Sequence, residues 1–136
     1  ASRQRPIMIH RVCFGSIERF IGILTEHFAG KFPTWLAPTQ VKVLPVSDKS
    51  MDYAKEVYEA LREKMIRCEL DTRNEKIGYK IREAQVHKVP YMIVIGDKDE
   101  EKGIISVRNR KTGETTPMEL SEFIEKLDYE VKNKLK

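Results

Sequence analysis

Asn74, Gly78 and Arg82 are spaced four residues apart in the stretch RNEKIGYKIREAQVHK, residues 73–88. On an α-helix this spacing places the three residues in one line along the surface. Asparagine and arginine side chains can each make two hydrogen bonds to the edge of a nucleic-acid base, and a glycine between them leaves room for a base to approach. The spacing therefore predicts a helix edge that reads RNA bases.

The same stretch offers other groups suited to RNA. Lys76 and Lys80 carry positive charges that can contact phosphates, and Tyr79 can stack on an unpaired base. However, residues 67–88 contain six lysines and arginines against four aspartates and glutamates, which is a small excess of positive charge. A helix of mixed charge is also typical of a solvated protein face with weak i, i+4 ion pairs. Spacing alone leaves both interpretations open.

The strands that would position this helix follow from hydrophobic periodicity and turn residues. After residue 40 the pattern alternates in the order βαβαββα, with a short fifth strand predicted before the last helix. The predicted strands cover residues 41–46, 67–71, 91–96, 104–110 and about 115–118. Strands that alternate with helices predict an α/β fold, here a mixed, mainly parallel sheet of about five strands flanked by three helices.

The three helices are predicted from their apolar stripes and capping residues. The first covers about 51–66, with the inward residues Ala54, Val57, Leu61 and Met65. The second is capped by Asn74 and runs to about residue 87, with the inward residues Ile77, Ile81 and Ala84. The third is capped by Ser121, with the inward residues Phe123, Ile124, Leu127, Val131 and Leu135.

The first 40 residues predict a separate strand and helix. The alternation in PIMIHRVCF, residues 6–14, indicates a strand, and Gly15 ends it. Ser16 is a predicted N-cap for an apolar-striped helix that stops at Gly30. The connector KFPTWLAPTQ, residues 31–40, contains two prolines and predicts a domain boundary after residue 38.

Composition narrows the class of protein. The chain has 136 residues, of which 40% are hydrophobic and 34% charged, as is usual for a globular domain. Its apolar runs are far shorter than the roughly 18 residues that a membrane span needs. Cys13 and Cys68 lack CxxC spacing, which favours a reducing cytoplasm over a disulfide framework. The formal net charge of +4 permits an RNA partner without requiring one.

Longer motifs add a resemblance to a known family. The segments RPIMIHRVCFGSIERFIGILTEHFAGKFPTWLAPTQV, RNEKIGYKIREAQVHKVPYMIVIGDKD and VRNR closely resemble the C-terminal part of bacterial threonyl-tRNA synthetases. The resemblance covers nearly the whole chain. Prolyl, histidyl and glycyl enzymes share this type of anticodon domain, but the series IHR, GSIERF and FPTWLAP resembles the threonyl enzymes.

The resemblance implies two regions. Residues 1–38 would be the end of a class II catalytic domain, and residues 39–136 an anticodon-binding domain. In the first region Arg19 resembles the arginine of the third class II motif, which holds the γ-phosphate of ATP, and His10 resembles one of three zinc ligands. The full-length enzyme would use zinc and ATP with magnesium. The chain alone is expected to bind no cofactor and to be inactive, because the other catalytic groups are missing.

The resemblance also implies site residues in the second region. Asn74 and Arg82 match positions with which the family reads the G and U common to threonine anticodons, and Arg108 matches a third such position. Lys88 stands where the family often has arginine, and Asp99 where it has glutamate. Both departures change the geometry of the hydrogen bonds that these residues could make.

The expected function is therefore recognition of the threonine tRNA anticodon loop as part of a threonine–tRNA ligase. The full-length enzyme would be a cytoplasmic homodimer without a membrane partner. One alternative is a stand-alone RNA-binding regulatory protein derived from a synthetase anticodon domain. A second alternative is a protein-interaction module that docks through residues 74–88.

Overall fold

The structure, a computed structural model, describes residues 3–135. It divides the chain into two compact units, with the division between Gly30 and Lys31. The sequence predicts a domain boundary after residue 38. The structure instead includes the connector 31–38 in the second compact unit.

The first unit contains the helix α1 (Ile17–His27). The hydroxyl oxygen of Ser16 accepts a hydrogen bond from the backbone N–H of Arg19 at 3.3 Å, as an N-cap does. Beyond the helix, Gly30 has a φ of 71° and its N–H donates to the carbonyl oxygen of Thr25 at 2.9 Å. A glycine can adopt this left-handed conformation without steric cost. The predicted helix, its cap and its stop are confirmed.

The strand predicted over residues 6–14 is wrong. Residues 3–15 have no regular secondary structure, and the strands of the sheet all lie between residues 41 and 118. A strand forms only where a neighbouring strand exchanges backbone hydrogen bonds with it. Among residues 3–135 the segment has no such neighbour, and Ile7, Met8 and Ile9 are exposed.

The second unit is built on a five-stranded mixed sheet. Its strands are β1 (Val41–Pro45), β2 (Cys68–Leu70), β3 (Tyr91–Ile95), β4 (Ile105–Asn109) and β5 (Thr115–Met118). Their order in space is β2-β1-β3-β4-β5. β1 is parallel to β2 and β3, whereas β4 is antiparallel to β3 and β5. The predicted α/β fold with a mixed sheet is confirmed, although its parallel and antiparallel pairings are equal in number.

Helices connect these strands within residues 31–135. They are α2 (Met51–Glu63), α3 (Ile77–Val86), α4 (Asp99–Lys102) and α5 (Leu120–Lys132). The short α4 occupies a segment predicted as a loop. Among residues 3–135, the helices are too short or too polar to cross a membrane.

The helices cover the two faces of the sheet unequally. On one face α2 and α5 bury Leu61, Phe123 and Leu127 against alternate residues of the central strands. On the other face, called here the α3 face, Ile77, Ile81 and Ala84 of α3 pack on Leu44 and Met92. The inward stripe predicted for α3 is confirmed.

Part of the α3 face remains accessible beside the helix. Side chains on neighbouring strands that lie opposite each other share a face. Arg108 is opposite Met92, and Thr115 is opposite Arg108, so all three lie on the α3 face. Arg108 is half-buried and Thr115 is exposed. The β4–β5 side of this face is therefore open to a ligand.

The predicted inward or capping roles of three residues at helix ends are wrong. α2 ends at Glu63, so Met65 lies beyond it with a φ of 59° and is 88% exposed. Glu119 is the N-cap of α5 and Ser121 lies inside the helix. Leu135 follows the end of α5 and is exposed.

Polar bonds attach the connector to the sheet. The guanidinium of Arg67 donates to the carbonyl oxygens of Trp35 at 2.9 Å and Ala37 at 3.0 Å. The side-chain amide of Gln40 donates to the carbonyl oxygen of Thr34 at 3.0 Å. The two prolines of this segment thus lie in a conformation fixed by hydrogen bonds from residues of the second unit.

Candidate nucleic-acid interface

Asn74 does not belong to the helix that carries Arg82. α3 begins at Ile77 with Lys76 at its N-cap position, and Asn74 lies in the irregular loop 71–76. The predicted i, i+4, i+8 line is therefore wrong for Asn74, although Gly78 and Arg82 keep their helical spacing. The sequence suggested an asparagine cap, but the loop is instead held by the side chains of Asp71 and Arg73.

Lys80 is not available to RNA phosphates, so its predicted role is wrong. Its side chain is buried, with 3% of the residue exposed. The ammonium donates to the carbonyl oxygens of Pro45 at 3.2 Å and Asp71 at 3.3 Å. The sequence contained the signal: residue 80 lies three positions after Ile77 and four before Ala84, which is the inward side of the helix.

Three other residues of this region are exposed. Lys76 and Arg82 are both exposed, and among residues 3–135 neither side chain has a hydrogen bond or an ion pair. Tyr79 is 53% exposed, and the guanidinium of Arg73 lies 5.9 Å from its ring centroid. These groups can meet a ligand without breaking contacts within the protein.

Sequence reasoning missed an ion network that holds the 71–76 loop. Arg73 donates two parallel hydrogen bonds to Asp71, Nε to Oδ1 at 2.9 Å and Nη2 to Oδ2 at 2.6 Å. The same Nη2 donates to Oε2 of Glu83 on α3 at 2.5 Å. These bonds lower the pKa of Asp71 and the pKa of Glu83, because they stabilise the charged carboxylates. An arginine two residues after an aspartate was the available signal, but its partner on α3 was not visible in the pattern.

Arg108 projects from β4 onto the α3 face. Its Nε atom is buried and has no hydrogen-bond partner among residues 3–135. Because this Nε is closed to solvent, only the terminal nitrogens of the guanidinium could donate to a base or phosphate oxygen at the open surface. Within residues 3–135, Arg108 is the predicted reader that has a buried donor without a partner.

Lys88 and Asp99 lie near opposite ends of β3. Lys88 precedes the strand, has a φ of 57°, and its carbonyl oxygen accepts a hydrogen bond from the Arg110 guanidinium. Asp99 follows the strand, and its Oδ2 accepts from the N–H of Gly96 at 2.7 Å. One carboxylate oxygen of Asp99 is therefore already bonded within the protein.

The candidates are spread between the two edges of the sheet. Because β1, β2 and β3 are parallel, their carboxyl ends share one edge of the sheet. Asn74 and Asp99 lie at that edge, whereas Lys88 lies at the opposite edge and Arg108 is paired near it. At about 3.3 Å per residue, β3 separates the two edges by roughly 16 Å, which is the scale of a few nucleotides.

The candidate catalytic residues lie in the first unit. Arg19 on α1 is exposed, and His10 is exposed with Nε2 3.0 Å from the sulfur of Met8. Within residues 3–135, His, Cys, Asp and Glu side chains nowhere form a group of three or more that could hold a metal ion. The residues described here therefore do not fit a zinc centre by themselves, since such a centre needs about three protein ligands.

Comparison with known proteins identifies the second unit. Residues 40–130 match a family described as the anticodon binding domain. The chain belongs to this family. The match covers every strand and helix that positions Asn74, Arg82, Lys88, Asp99 and Arg108. The candidate residues therefore lie on an anticodon-binding domain.

Relatives of this anticodon-binding domain confirm the resemblance inferred from the motifs. The threonine–tRNA ligase of Caldanaerobacter subterraneus subsp. tengcongensis is 63% identical over 97% of this chain, and that of Clostridium tetani is 60% identical over 98%. The chain spans about a fifth of the length of these curated relatives, namely 20% and 21%.

A solved structure shows the same fold. The RNA binding domain of threonyl-tRNA synthetase from Cryptosporidium parvum Iowa II matches with a TM-score of 0.80 and 34% identity, covering 85% of this chain and 29% of that one. The same fold is therefore present in a domain described as RNA binding.

Proposed function

We propose that this chain recognises the anticodon loop of threonine tRNA as part of a threonine–tRNA ligase. The observation that carries the proposal is the identity of 60% or more to threonine–tRNA ligases over nearly the whole chain. The open β4–β5 side of the α3 face supports it, because single-stranded RNA is read by groups that reach splayed-out bases on an accessible surface.

The proposed readers divide into two kinds of contact. Arg82 and Arg108 read base edges, because each guanidinium presents several donors in a planar fork. Asn74 adds a side chain that can both donate and accept. Lys88 and Asp99 lie at opposite ends of β3 and contribute from opposite edges of the sheet. Lys76 contacts phosphate.

The proposed organisation assigns the two regions different roles. Residues 1–38 belong to the end of a class II catalytic domain, and residues 39–136 bind the anticodon. Arg19 and His10 serve ATP and zinc only in the full-length protein, a cytoplasmic homodimer that uses ATP with magnesium. Stabilising a transferring phosphoryl group requires several positioned groups acting together, so this chain alone is inactive. Threonine-dependent ATP–pyrophosphate exchange by the purified chain, above a blank, would contradict this assignment.

The experiment that tests anticodon reading compares two substitutions. Arg82→Ala should weaken binding of a threonine anticodon stem-loop by about 1–3 kcal/mol and reduce discrimination at one base, because a two-point contact is lost. Lys76→Ala should weaken all RNAs by a similar factor and lower the salt slope by about one unit. Thermal melting checks that both variants are folded.

The same pair of variants separates the alternatives. If the 74–88 region were only a solvated or protein-docking face, Arg82→Ala would leave RNA selectivity unchanged. A folded Arg82→Ala that prefers the threonine anticodon by the full wild-type margin therefore contradicts the assignment of Arg82.

A further inference from the structure

Arg73 joins the end of β2 to the middle of α3. Asp71 follows β2 directly, and its N–H donates to the carbonyl oxygen of Val43 on β1 at 3.0 Å. Its side chain is only 2% exposed, so the carboxylate is a fixed anchor inside the domain. Arg73 binds that carboxylate through Nε and Nη2, and the same Nη2 also donates to Glu83.

The bridged residues are the chain neighbours of two proposed readers. Arg73 immediately precedes Asn74, and Glu83 immediately follows Arg82. The loop between Asp71 and α3 has no regular secondary structure of its own. The bond from Arg73 to Glu83 thus sets how far the backbone at Asn74 lies from the helix turn that carries Arg82.

The guanidinium of Arg73 already makes hydrogen bonds to side chains of the protein. All the hydrogen bonds that its guanidinium makes with Asp71 and Glu83 use Nε and Nη2, and both partners are acidic. A phosphate approaching it would meet two carboxylates that already neutralise the arginine. Positioning, rather than direct charge attraction, is the role that this geometry allows.

We infer that Arg73 is a positioning residue for anticodon recognition: by bridging Asp71 and Glu83, it holds Asn74 at a fixed distance from Arg82 so that both reach the same loop of RNA. The inference rests on the proposed function. It adds a residue that acts on selectivity without touching a base.

The test substitutes Arg73→Lys, which keeps the charge but loses the planar fork. We expect binding of the threonine anticodon stem-loop to weaken about five- to tenfold, near the lower range of losing one two-point contact. Affinity for a stem-loop with altered second and third anticodon bases should barely change, so discrimination falls. In Arg73→Gln, which also removes the charge, the salt slope should remain at its wild-type value, because no phosphate contact is lost.

Two further variants make the test specific. In a protein that already carries Asn74→Ala, Arg73→Lys should have almost no further effect, because the residue that it positions is gone. Glu83→Gln, which keeps the side-chain shape, should lower discrimination in the same direction and serves if Arg73→Lys does not fold. Arg62→Lys is the matched control, since Arg62 forms an exposed ion pair on α2 at 4.0 Å from Glu59.

Three results would overturn the inference. One is wild-type discrimination in folded Arg73→Lys or Glu83→Gln. Another is a salt slope lowered by about one unit in Arg73→Gln, which would mark a direct phosphate contact. The third is an Arg73→Lys protein whose loss of affinity for the threonine stem-loop is as large in the presence of Asn74→Ala as in its absence. If the wild-type chain itself fails to discriminate between the stem-loops, the proposed function falls first, and this inference falls with it.

Discussion

Replacing Lys80 with methionine separates a structural lysine from an RNA-contacting one. Methionine keeps an unbranched apolar stem of similar length but removes the ammonium. The carbonyl oxygens of Pro45 and Asp71 would then lose the donors that they have at 3.2 and 3.3 Å. Since Lys80 is buried, water cannot readily replace those donors.

The size of the effect follows from these two acceptors. Leaving a buried acceptor unpaired costs about 1–3 kcal/mol, and removing a charge that is expensive to bury offsets part of that cost. We expect Lys80→Met to lower the free energy of unfolding by about 2 kcal/mol. For a domain of about 100 residues this corresponds to a fall in Tm of roughly 8–12 °C.

Thermal melting and RNA titration against salt measure the two consequences together. Lys76→Met is the matched control, because Lys76 lies one turn earlier and is exposed. It should change stability by less than about 0.5 kcal/mol and lower the salt slope by about one unit. Lys80→Met should instead lower the free energy of unfolding by about 2 kcal/mol and leave the salt slope unchanged. A Lys80→Met protein that melts like the wild type, or that shows the lower salt slope, would refute this account of the buried ammonium.

Two other predictions concern titration of buried or paired groups. The pKa of Asp71 is lowered chiefly by its hydrogen bond from Arg73, so its contribution to stability is present above its unfolded pKa of about 3.9 and is lost as the pH falls through the lower folded value. Urea unfolding of wild type and Asp71→Asn should therefore differ most at neutral pH, and the difference should shrink as the pH falls below about 3.9; a constant difference would show that the carboxylate is not linked to folding. Burial raises the pKa of Cys68 to about 11, whereas Cys13 is exposed. Ellman's reagent at pH 7.5 should modify Cys13 quickly and Cys68 only after denaturation, and equal rates would contradict that placement.

The second unit could be predicted from the sequence because its signals are local and agree with one another. Tyr91–Ile95 is an uninterrupted apolar run and Val41–Pro45 is interrupted only by Lys42, which is typical of strands buried on both faces, and the structure places them in the interior of the sheet. The stripe of α3 also follows its helical period. Where the hydrophobic periodicity of a segment coincides with its burial, composition and spacing are sufficient to predict the helix or strand.

The errors arose where a residue's partner is distant in sequence. Lys80 bonds to carbonyls of the β1 end and the 71–76 loop, and Arg73 reaches Glu83 across ten positions. The segment 6–14 alternates like a strand but lacks a strand beside it within residues 3–135. Asn74 could cap a helix, but the bonds between Asp71 and Arg73 hold its loop in another conformation. The outcomes for Lys80, Glu83 and residues 6–14 depend on tertiary contacts that a local pattern does not contain, whereas the pairing of Asp71 with Arg73 is local.

The most direct measurement compares the affinity of the 136-residue chain for two RNA stem-loops at physiological salt. One carries a threonine anticodon, and the other differs only at the second and third anticodon positions. If the proposed readers contact those bases, each substitution should cost about 1–3 kcal/mol, so the altered loop should bind at least tenfold more weakly. Equal affinities for the two stem-loops would contradict the claim that this domain recognises the threonine anticodon.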